Sequence, residues 1–316
     1  MSYLRDEEKV YKEILKVQPD DFYALHSLGV TYYLLQNYDS AIEHLRRALE
    51  INSNNAEVYN NLGNALQQKG QLDKAKLFYQ NAINLNPNFT EALNNLGMVL
   101  KEERHFDKAL NYYQKVLQLD PNFFQAHVNV SEIYLLHGDF QKGWEEYEWR
   151  QQTEDFLSPS YHLNLPLWNG FPLDGKSLFI SAEQGVGDEI MFASCLPDVI
   201  ERVTSCLIEC DERLIPLLER SFPKTSAIKR ITVDEDYPEE ILQYDRKIPI
   251  GSLPSFFRKD INSFPERKSY LIPDSKEVFK WSGRFKELGK GLKIGISWRG
   301  GSKPNIIHRR SITLDK

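Results

Sequence analysis

The chain has 316 residues, a length that accommodates two domains with substantial hydrophobic cores. Its formal net charge of −6, with no basic stripe of interleaved aromatic residues, argues against a nucleic-acid partner. No run of the sequence approaches the roughly 20 apolar residues of a membrane span, and the first residues lack the apolar core of a signal peptide. We therefore expect a cytoplasmic protein.

The first half of the chain repeats itself every 34 residues. Asn-Leu-Gly occurs at 61–63 and at 95–97, and weaker versions stand at 27–29 and 129–131. A period of this length predicts one pair of antiparallel helices per repeat. Upstream, Tyr11, Ile14 and Pro19 fit the second half of an earlier unit. The array is therefore expected to begin with a lone helix at about residue 3.

Large and small residues keep fixed places within each repeat. Small residues and the triplet glycines let the paired helices approach closely, leucines and tyrosines fill the space between pairs, and Pro87 and Pro121 separate successive units. The small and large positions that define the register are Ala41, Ala75, Ala109, Leu45, Tyr79 and Tyr113. The pattern resembles the tetratricopeptide repeat family over residues 3–150. The fourth copy drifts at 143–150, as expected of a unit that ends an array or joins another domain.

The asparagines of the triplets are candidate ligand contacts. Asn61, Asn95 and Asn129 occupy one position on the first helix of successive repeats, with Asn60 and Asn94 beside them. Stacked repeats would align the carboxamides along the inner surface, where an amide can pair with the backbone of any extended peptide. The alternative is that they bond to neighbouring loops or face water. The arrangement resembles the asparagine ladder of the eukaryotic O-linked N-acetylglucosamine transferases and implies a protein or peptide partner.

The character of the chain changes near residue 155. Residues 153–176 are rich in turn formers and read as a linker, and beyond them short apolar runs alternate with amphipathic helices. This alternation predicts a parallel sheet covered by helices on both faces. The predicted strands are 177–182, 205–209, 228–233, 247–250 and 293–298, and the predicted helices are 188–203, 212–220 and 275–288.

A glycine-containing turn at 182–189 follows the first predicted strand and opens a helix. Ligands of open α/β sheets bind at the carboxyl ends of strands, so Gln184, Gly185, Gly187 and Glu189 are candidate substrate or acceptor contacts. The helix start would add N–H groups and a partial positive charge. Asp188 could reach into a cleft or could cap the helix, which is a common use of aspartate.

A second resemblance covers residues 140–316. Its motifs lie at 167–176, at the Glu-Gln-Gly-x-Gly-Asp-Glu turn, at 251–254, at 293–298 and at 310–314. They look like a bacterial family of tetratricopeptide proteins with a glycosyltransferase-like domain, similar to the heptosyltransferases. Those enzymes have two Rossmann-like halves, the GT-B arrangement. The resemblance implies that Asp188 is the general base that takes a proton from the acceptor hydroxyl, with a nucleotide-sugar as co-substrate.

The fold class expected from both resemblances is α plus α/β. It consists of a tetratricopeptide solenoid of about four repeats and a leading helix at 1–152, a linker at 153–176, the Rossmann-like first half of a GT-B fold at 177–290, and the start of a truncated second half at 291–316. The second half would bind most of the donor, so we expect no sugar transfer by these 316 residues alone.

Other chemistry is poorly represented. Cys206 and Cys210 stand four apart in an apolar run with no histidine nearby, so buried thiols are predicted for them rather than a zinc site, and Cys195 is the third cysteine. No metal and no tightly bound cofactor are expected. Two hypotheses remain: an inverting glycosyltransferase whose repeats recruit a protein acceptor, and an interaction scaffold with a non-catalytic α/β domain.

Overall fold

The computed structural model describes residues 2–152, 163–223, 227–229, 239 and 241–291. It divides the chain into two compact units that part between Val130 and Ser131, inside a single helix. This division lies ahead of residue 152, where the drift of the repeat pattern had placed the end of the solenoid. The residues after Val130 therefore fold with the sheet rather than with the preceding repeats.

Helical pairs fill the first unit, as the 34-residue period predicts. The leading helix α1 begins at Ser2, close to the predicted start. Asp21 and Asn55 are the N-cap residues of the helices that begin at Phe22 and Ala56. Their side chains accept the N–H groups of Ala24 and Val58 at 2.7 and 3.0 Å. The helices are α1 (Ser2–Val17), α2 (Phe22–Leu34), α3 (Tyr38–Ile51), α4 (Ala56–Gln68), α5 (Leu72–Leu85), α6 (Thr90–Glu102), α7 (Phe106–Leu119) and α8 (Phe124–Leu136).

The triplet glycines pack directly against the second helix of their own repeat. A Cβ atom added at Gly63 would lie 2.5 Å from Cε1 of Tyr79, and one added at Gly97 would lie 2.6 Å from Cε1 of Tyr113. Such distances are shorter than real Cβ contacts, so only glycine permits this approach. Both tyrosine rings are completely buried. The predicted close contact of the paired helices is confirmed.

The second unit holds the end of α8, helix α9 (Phe140–Tyr147), a 3-10 turn at Glu148–Gln152 and a four-stranded parallel sheet. Its strand order is β3-β2-β1-β4, so the chain adds strands on one side of β1 and then crosses to the other side. A switch point therefore lies between β1 and β4. The strands are β1 (Leu173–Ser181), β2 (Val203–Glu209), β3 (Ala227–Lys229) and β4 (Arg246–Pro249).

The two faces of the sheet are covered differently. Leu178, Ile180 and Ile208 point to a large core that helices build, whereas Phe179 and Leu207 point to a smaller cluster on the opposite face. In the part of the chain that the structure describes, irregular segments and a 3-10 turn cover this second face, through Leu163, Leu165, Ile241 and Tyr244. The expectation of helices on both faces is therefore wrong for these residues.

Proline breaks the longest helix predicted in this half. Pro197 lacks an N–H group for helical bonding, and the predicted helix at 188–203 is divided into α10 (Val186–Phe192), a 3-10 turn and α11 (Leu196–Ile200). The helices that follow are α12 (Ile215–Ser221), α13 (Pro254–Phe257) and α14 (Ser275–Glu287). The predicted strand at 293–298 lies outside the described residues. Cys206 and Cys210 are buried free thiols, as predicted, and Cys195 is buried as well.

None of the helices in the described ranges is long and apolar enough to cross a bilayer.

Candidate functional site

The triplet asparagines form bonds between adjacent repeats. Asn95 donates its amide to Oδ1 of Asn60 and Oδ1 of Asn64, both at 3.0 Å and both in the preceding repeat. Asn61 bonds in the same direction, since its Nδ2 lies 2.9 Å from Nε2 of His26. Each amide is half-buried. The amide N–H groups therefore point to the preceding repeat, and the carbonyl oxygens of Asn61 and Asn95 remain unbonded within the described residues.

The other predicted ladder residues lie deeper. Asn60, Asn94 and Asn129 are 6, 5 and 8 % exposed, too little for contact with a peptide in this arrangement. Asn129 donates to Oδ1 of Asn94 at 3.2 Å and accepts from Lys101 at 2.6 Å. These three asparagines stabilise the contact between repeats. Of the five predicted ladder residues in the described structure, Asn61 and Asn95 keep partly accessible amide groups.

The surroundings of Asn61 include a titratable pair. Burial lowers the pKa of His26, and the negative charge of Glu57 opposes that shift. A neutral ring can accept the amide of Asn61 at Nε2, whereas a protonated ring has no acceptor. The contact between Asn61 and the preceding repeat therefore requires neutral His26.

In the second unit, the predicted turn links the end of β1 to the start of α10. Asp188 lies in the first turn of α10 and is half-buried. Gly185 is the N-cap residue, and α10 has no side-chain cap bond, so the capping role considered for Asp188 is not formed. Apart from its chain neighbours and its own helix backbone, nothing lies within 4 Å of a Cβ added at Gly187, and one added at Gly185 would lie 3.7 Å from a carboxylate oxygen of Asp188. Both glycines leave space beside this carboxylate.

Gln184 adopts a left-handed backbone conformation with φ of 63° and exposes its side chain. Its amide forms two contacts with Tyr147, since Nε2 donates to the phenol oxygen at 3.0 Å and the phenol O–H donates to Oε1 at 3.2 Å. Burial raises the pKa of Tyr147 to about 12, an effect to which the charges of Glu183 and Asp188 add. Tyr147 therefore remains protonated beside the candidate base.

The side chain of Glu189 is buried, in contrast to the exposed side chain of Gln184. It is 6 % exposed, and its Oε2 accepts the backbone N–H of Asp211 at 2.8 Å, just beyond the end of β2. Glu209 makes the reciprocal link, since its Oε2 accepts the N–H of Ala182 beyond β1 at 3.1 Å. Burial, together with the negative charge of the neighbouring Glu189, raises the pKa of Glu209 to about 7. These carboxylates join the strand ends and are not placed to contact an acceptor.

An ion pair that sequence reasoning missed lies at the carboxyl ends of β1 and β4. Arg150 is 2 % exposed, and its Nε and Nη2 donate to the two carboxylate oxygens of Glu183 at 3.1 and 2.9 Å. Nη2 also donates to Ser252, and Nη1 donates to Glu148 and to the carbonyl of Tyr147. Burial alone would lower the pKa of Arg150, but the carboxylates of Glu183 and Glu148 raise it. The switch point is thus occupied by the protein's own arginine.

The 251–254 motif has a physical explanation at this point. A Cβ atom at Gly251 would collide with the carboxylate of Glu183, and the N–H of Gly251 is hydrogen-bonded to that carboxylate. Trp144 adds a further link, because its indole N–H donates to the carbonyl of Arg258 at 2.9 Å. Helix α9 and the 3-10 turn therefore form one wall of the α/β unit. Among the described residues no group of three or more potential metal ligands is found.

Comparison with known proteins supports the repeats most strongly. A family model described as TPR repeat matches residues 31–70, and one described as tetratricopeptide repeat matches 56–89 and 90–123. Together with the buried helical pairs, these matches establish that the chain carries tetratricopeptide repeats. A crystal structure of MamA shares 28 % identity over 46 % of this chain and 85 % of its own, with a TM-score of 0.42.

Two curated relatives extend the comparison. Protein FlbA of Caulobacter vibrioides is 33 % identical over 180 residues, which are 54 % of this chain and 30 % of FlbA. A probable UDP-N-acetylglucosamine–peptide N-acetylglucosaminyltransferase SEC of Arabidopsis thaliana is 42 % identical over 52 residues, which are 16 % of this chain and 5 % of that protein. The chain therefore spans less than a third of the length of either relative.

Proposed function

We propose that the repeats bind an extended peptide along the face that carries Asn61 and Asn95. The observation that supports this proposal is the orientation of the two amides. Each donates its N–H groups to the preceding repeat, so its carbonyl oxygen is held in one position and can accept a backbone N–H of a peptide. Because a backbone N–H occurs in every residue except proline, this contact recognises an extended main chain of many sequences.

Peptide binding is tested with fluorescein-labelled 12-residue peptides of scrambled, uncharged sequence and fluorescence anisotropy. The double variant Asn61→Ala/Asn95→Ala should weaken binding by about five- to 150-fold, since two hydrogen bonds are lost at roughly 0.5–1.5 kcal/mol each. The control is Asn54→Ala/Asn88→Ala, which alters two exposed asparagines. Equal affinities of the two double variants would contradict the proposal.

We also propose that the α/β unit is the acceptor half of an inverting glycosyltransferase, with Asp188 as general base. The support is that Asp188 is half-buried at the carboxyl end of the central strand, without the capping bond that a structural role would require. Gly185 and Gly187 leave room for an acceptor hydroxyl beside it, and Gln184 adds an exposed amide. In the reaction, Asp188 would accept the hydroxyl proton while the oxygen attacks the anomeric carbon of a nucleotide-sugar and the nucleoside diphosphate leaves.

The transferase proposal is tested on the full-length natural protein. Binding and turnover of nucleotide-sugars and binding of nucleoside diphosphates are compared between the wild type and Asp188→Ala. Binding by both proteins with turnover by the wild type alone is expected. If the full-length protein binds none of these compounds, the alternative holds, in which the α/β unit is a non-catalytic part of an interaction scaffold.

A further inference from the structure

The face that carries Asn61 and Asn95 also carries two carboxylates. Glu57 and Glu91 each precede one of these asparagines by four residues, so each lies one helical turn before it on the same side of the helix. Both glutamates are exposed. The effect of Glu57 on the pKa of His26, the ring bonded to Asn61, places its charge beside this asparagine.

Among the residues that the structure describes, no basic side chain forms an ion pair with either glutamate. Acidic residues are common in the first turn of a helix because of the helix dipole, and Asp39 and Asp73 are in the first turns of α3 and α5. Those two aspartates form ion pairs, Asp39 with Lys69 and Asp73 with Lys76. Within the described residues, Glu57 and Glu91 form none.

Helices α4 and α6 carry two further charged residues, Lys101 and Glu102, and each is engaged in contacts of its own. Lys101 of α6 is hydrogen-bonded to Asn129, at the buried contact between repeats. Glu102 adds a further negative charge and accepts from Gln67 at 3.4 Å. On α4 and α6 together, three glutamates therefore stand against one lysine; Glu57 and Glu91 lie in the first turns of these helices, where the helix dipole also favours a carboxylate.

From this pattern we infer that the partner of this face is an extended peptide with two basic side chains three residues apart. The inference rests on the proposed peptide binding and specifies the charge of the peptide that is bound. Neighbouring packed helices lie about 8–10 Å apart, so Glu57 and Glu91 are separated by about that distance along the array. An extended polyproline II segment rises about 3.1 Å per residue with three residues per turn, so residues i and i+3 lie about 9 Å apart on one side. A Lys-x-x-Lys or Arg-x-x-Arg segment matches this spacing.

Binding of this kind would combine two contacts. The asparagine carbonyls accept backbone N–H groups, and the glutamates pair with the basic side chains, which selects among peptides that the main-chain contacts alone would accept equally. Because both glutamates are exposed, the charge contribution falls with salt, whereas the amide contacts depend on salt much less.

The test uses synthetic 12-residue peptides with one scaffold and three charge patterns: Lys-x-x-Lys, Glu-x-x-Glu and the uncharged Gln-x-x-Gln. Affinities are measured by fluorescence anisotropy at 50 and 300 mM salt, for the wild type, Glu57→Gln/Glu91→Gln and the matched control Glu43→Gln/Glu50→Gln on α3. We expect the lysine peptide to bind the wild type roughly five- to tenfold more tightly than the uncharged peptide at low salt. The Glu57→Gln/Glu91→Gln variant should lose this preference, and the control should keep it.

The outcomes separate the two proposals. If the three peptides bind equally well, or if the lysine preference survives in Glu57→Gln/Glu91→Gln, the charge inference is wrong. Asn61→Ala/Asn95→Ala should still weaken all three peptides in that case, and the peptide-binding proposal then stands. If no peptide of any charge binds the wild type, the peptide-binding proposal and the charge inference both fail. A glutamate peptide that binds most tightly would also overturn the inference.

Discussion

The repeats and the α/β unit both bury polar side chains, but they bury different kinds. In the repeats the buried groups are amides, such as Asn60, Gln67 and Asn94, which bond to one another or to a tyrosine. In the α/β unit they are ionisable groups, such as Arg150 and Glu209. Amides keep their bonds at every ordinary pH, whereas a buried ionisable group couples stability to its protonation state. We therefore expect the buried amide contacts of the repeats to be insensitive to pH, in contrast to the His26–Asn61 contact, which needs a neutral ring, and we expect the stability of the α/β unit to depend on pH.

Tyr147 belongs to the fourth copy of the repeat, which lies in the sequence between the repeats and the sheet. It occupies the repeat position of Tyr79 and Tyr113, whose rings pack on a glycine of their own repeat. Tyr147 instead contacts Phe192 and bonds to Gln184. The fourth copy of the repeat thus keeps the helical period but has changed its contacts, and its last turn supplies Arg150 to the switch point.

The tryptophans allow the two units to be followed separately. All five lie after residue 143, so residues 1–130 contain none. Trp144, Trp149, Trp168 and Trp281 lie in the described part of the α/β unit, so their fluorescence reports on its unfolding, while far-UV circular dichroism is dominated by the helical repeats. Both signals can be recorded in one urea titration of the 316-residue chain.

The largest effect is expected for Arg150→Met. This change leaves the carboxylate of Glu183 buried without its partner, which costs about 3–5 kcal/mol in the free energy of unfolding. The tryptophan transition should move to lower urea, and the repeat transition should stay in place. Arg150→Met/Glu183→Gln should recover part of the loss. Arg213→Met, which removes an exposed arginine, serves as control, and a loss no larger than in this control would contradict the structural role of the pair.

Glu209 tests the pH dependence of the α/β unit. Its pKa in the folded protein is about 7, above the ordinary value, so the folded state holds a proton that the unfolded state releases. Stability of this unit should therefore fall as pH rises through the window from about 4.5 to about 7. Glu209→Gln should weaken this dependence, to which the raised pKa values of Glu183 and Glu189 also contribute, and should add about 3 kcal/mol at pH 8, measured by tryptophan fluorescence. Glu219→Gln, on the surface of α12, should leave the pH profile unchanged, and an identical profile for Glu209→Gln would rule the assignment out.

The sequence predicts contacts that recur with the repeat period or follow from a local pattern, and it does not predict non-repeating contacts between residues far apart in the chain. The packing of Gly63 on Tyr79 follows from a period that recurs within 34 residues, and the end of β1 next to a glycine turn follows from local pattern. The pairing of Arg150 with Glu183 and Ser252 spans 33 and 102 residues and has no periodicity, so the partners of Arg150 cannot be identified from the sequence. Its one trace was the departure of residues 143–150 from the repeat pattern.

The ladder shows a second limit of sequence reasoning. The period places Asn61, Asn95 and Asn129 at one repeat position and predicts equal roles for them. Depth of burial separates them, because Asn129 is bonded on both sides by Asn94 and Lys101. Burial depends on side chains from the adjacent repeat, which the position within a repeat does not specify.

Asn94→Ala tests the amide interior of the repeats. The amide of Asn129 would lose its acceptor inside a buried contact, so we expect a loss of about 1–2 kcal/mol in the repeat transition, followed by circular dichroism. The loss should be the same at pH 5 and pH 8. Asn88→Ala, at an exposed loop position, is the control. A pH-dependent loss would show that amide bonding does not explain the stability of this contact.

The smallest effect compares two tyrosines at one repeat position. The hydroxyl of Tyr79 is buried 2.7 Å from Oε1 of Gln67, so Tyr79→Phe leaves a buried acceptor without its donor and should cost about 1 kcal/mol in the repeat transition. Tyr147→Phe removes a bond to the exposed Gln184, whose amide can bond to water instead, so the tryptophan transition should shift by less than about 0.5 kcal/mol. Equal losses for the two substitutions would mean that Tyr147 is held as tightly as a true repeat tyrosine. The tyrosine of the fourth copy would then differ from the tyrosines of the repeats in its bonding partners but not in its contribution to stability.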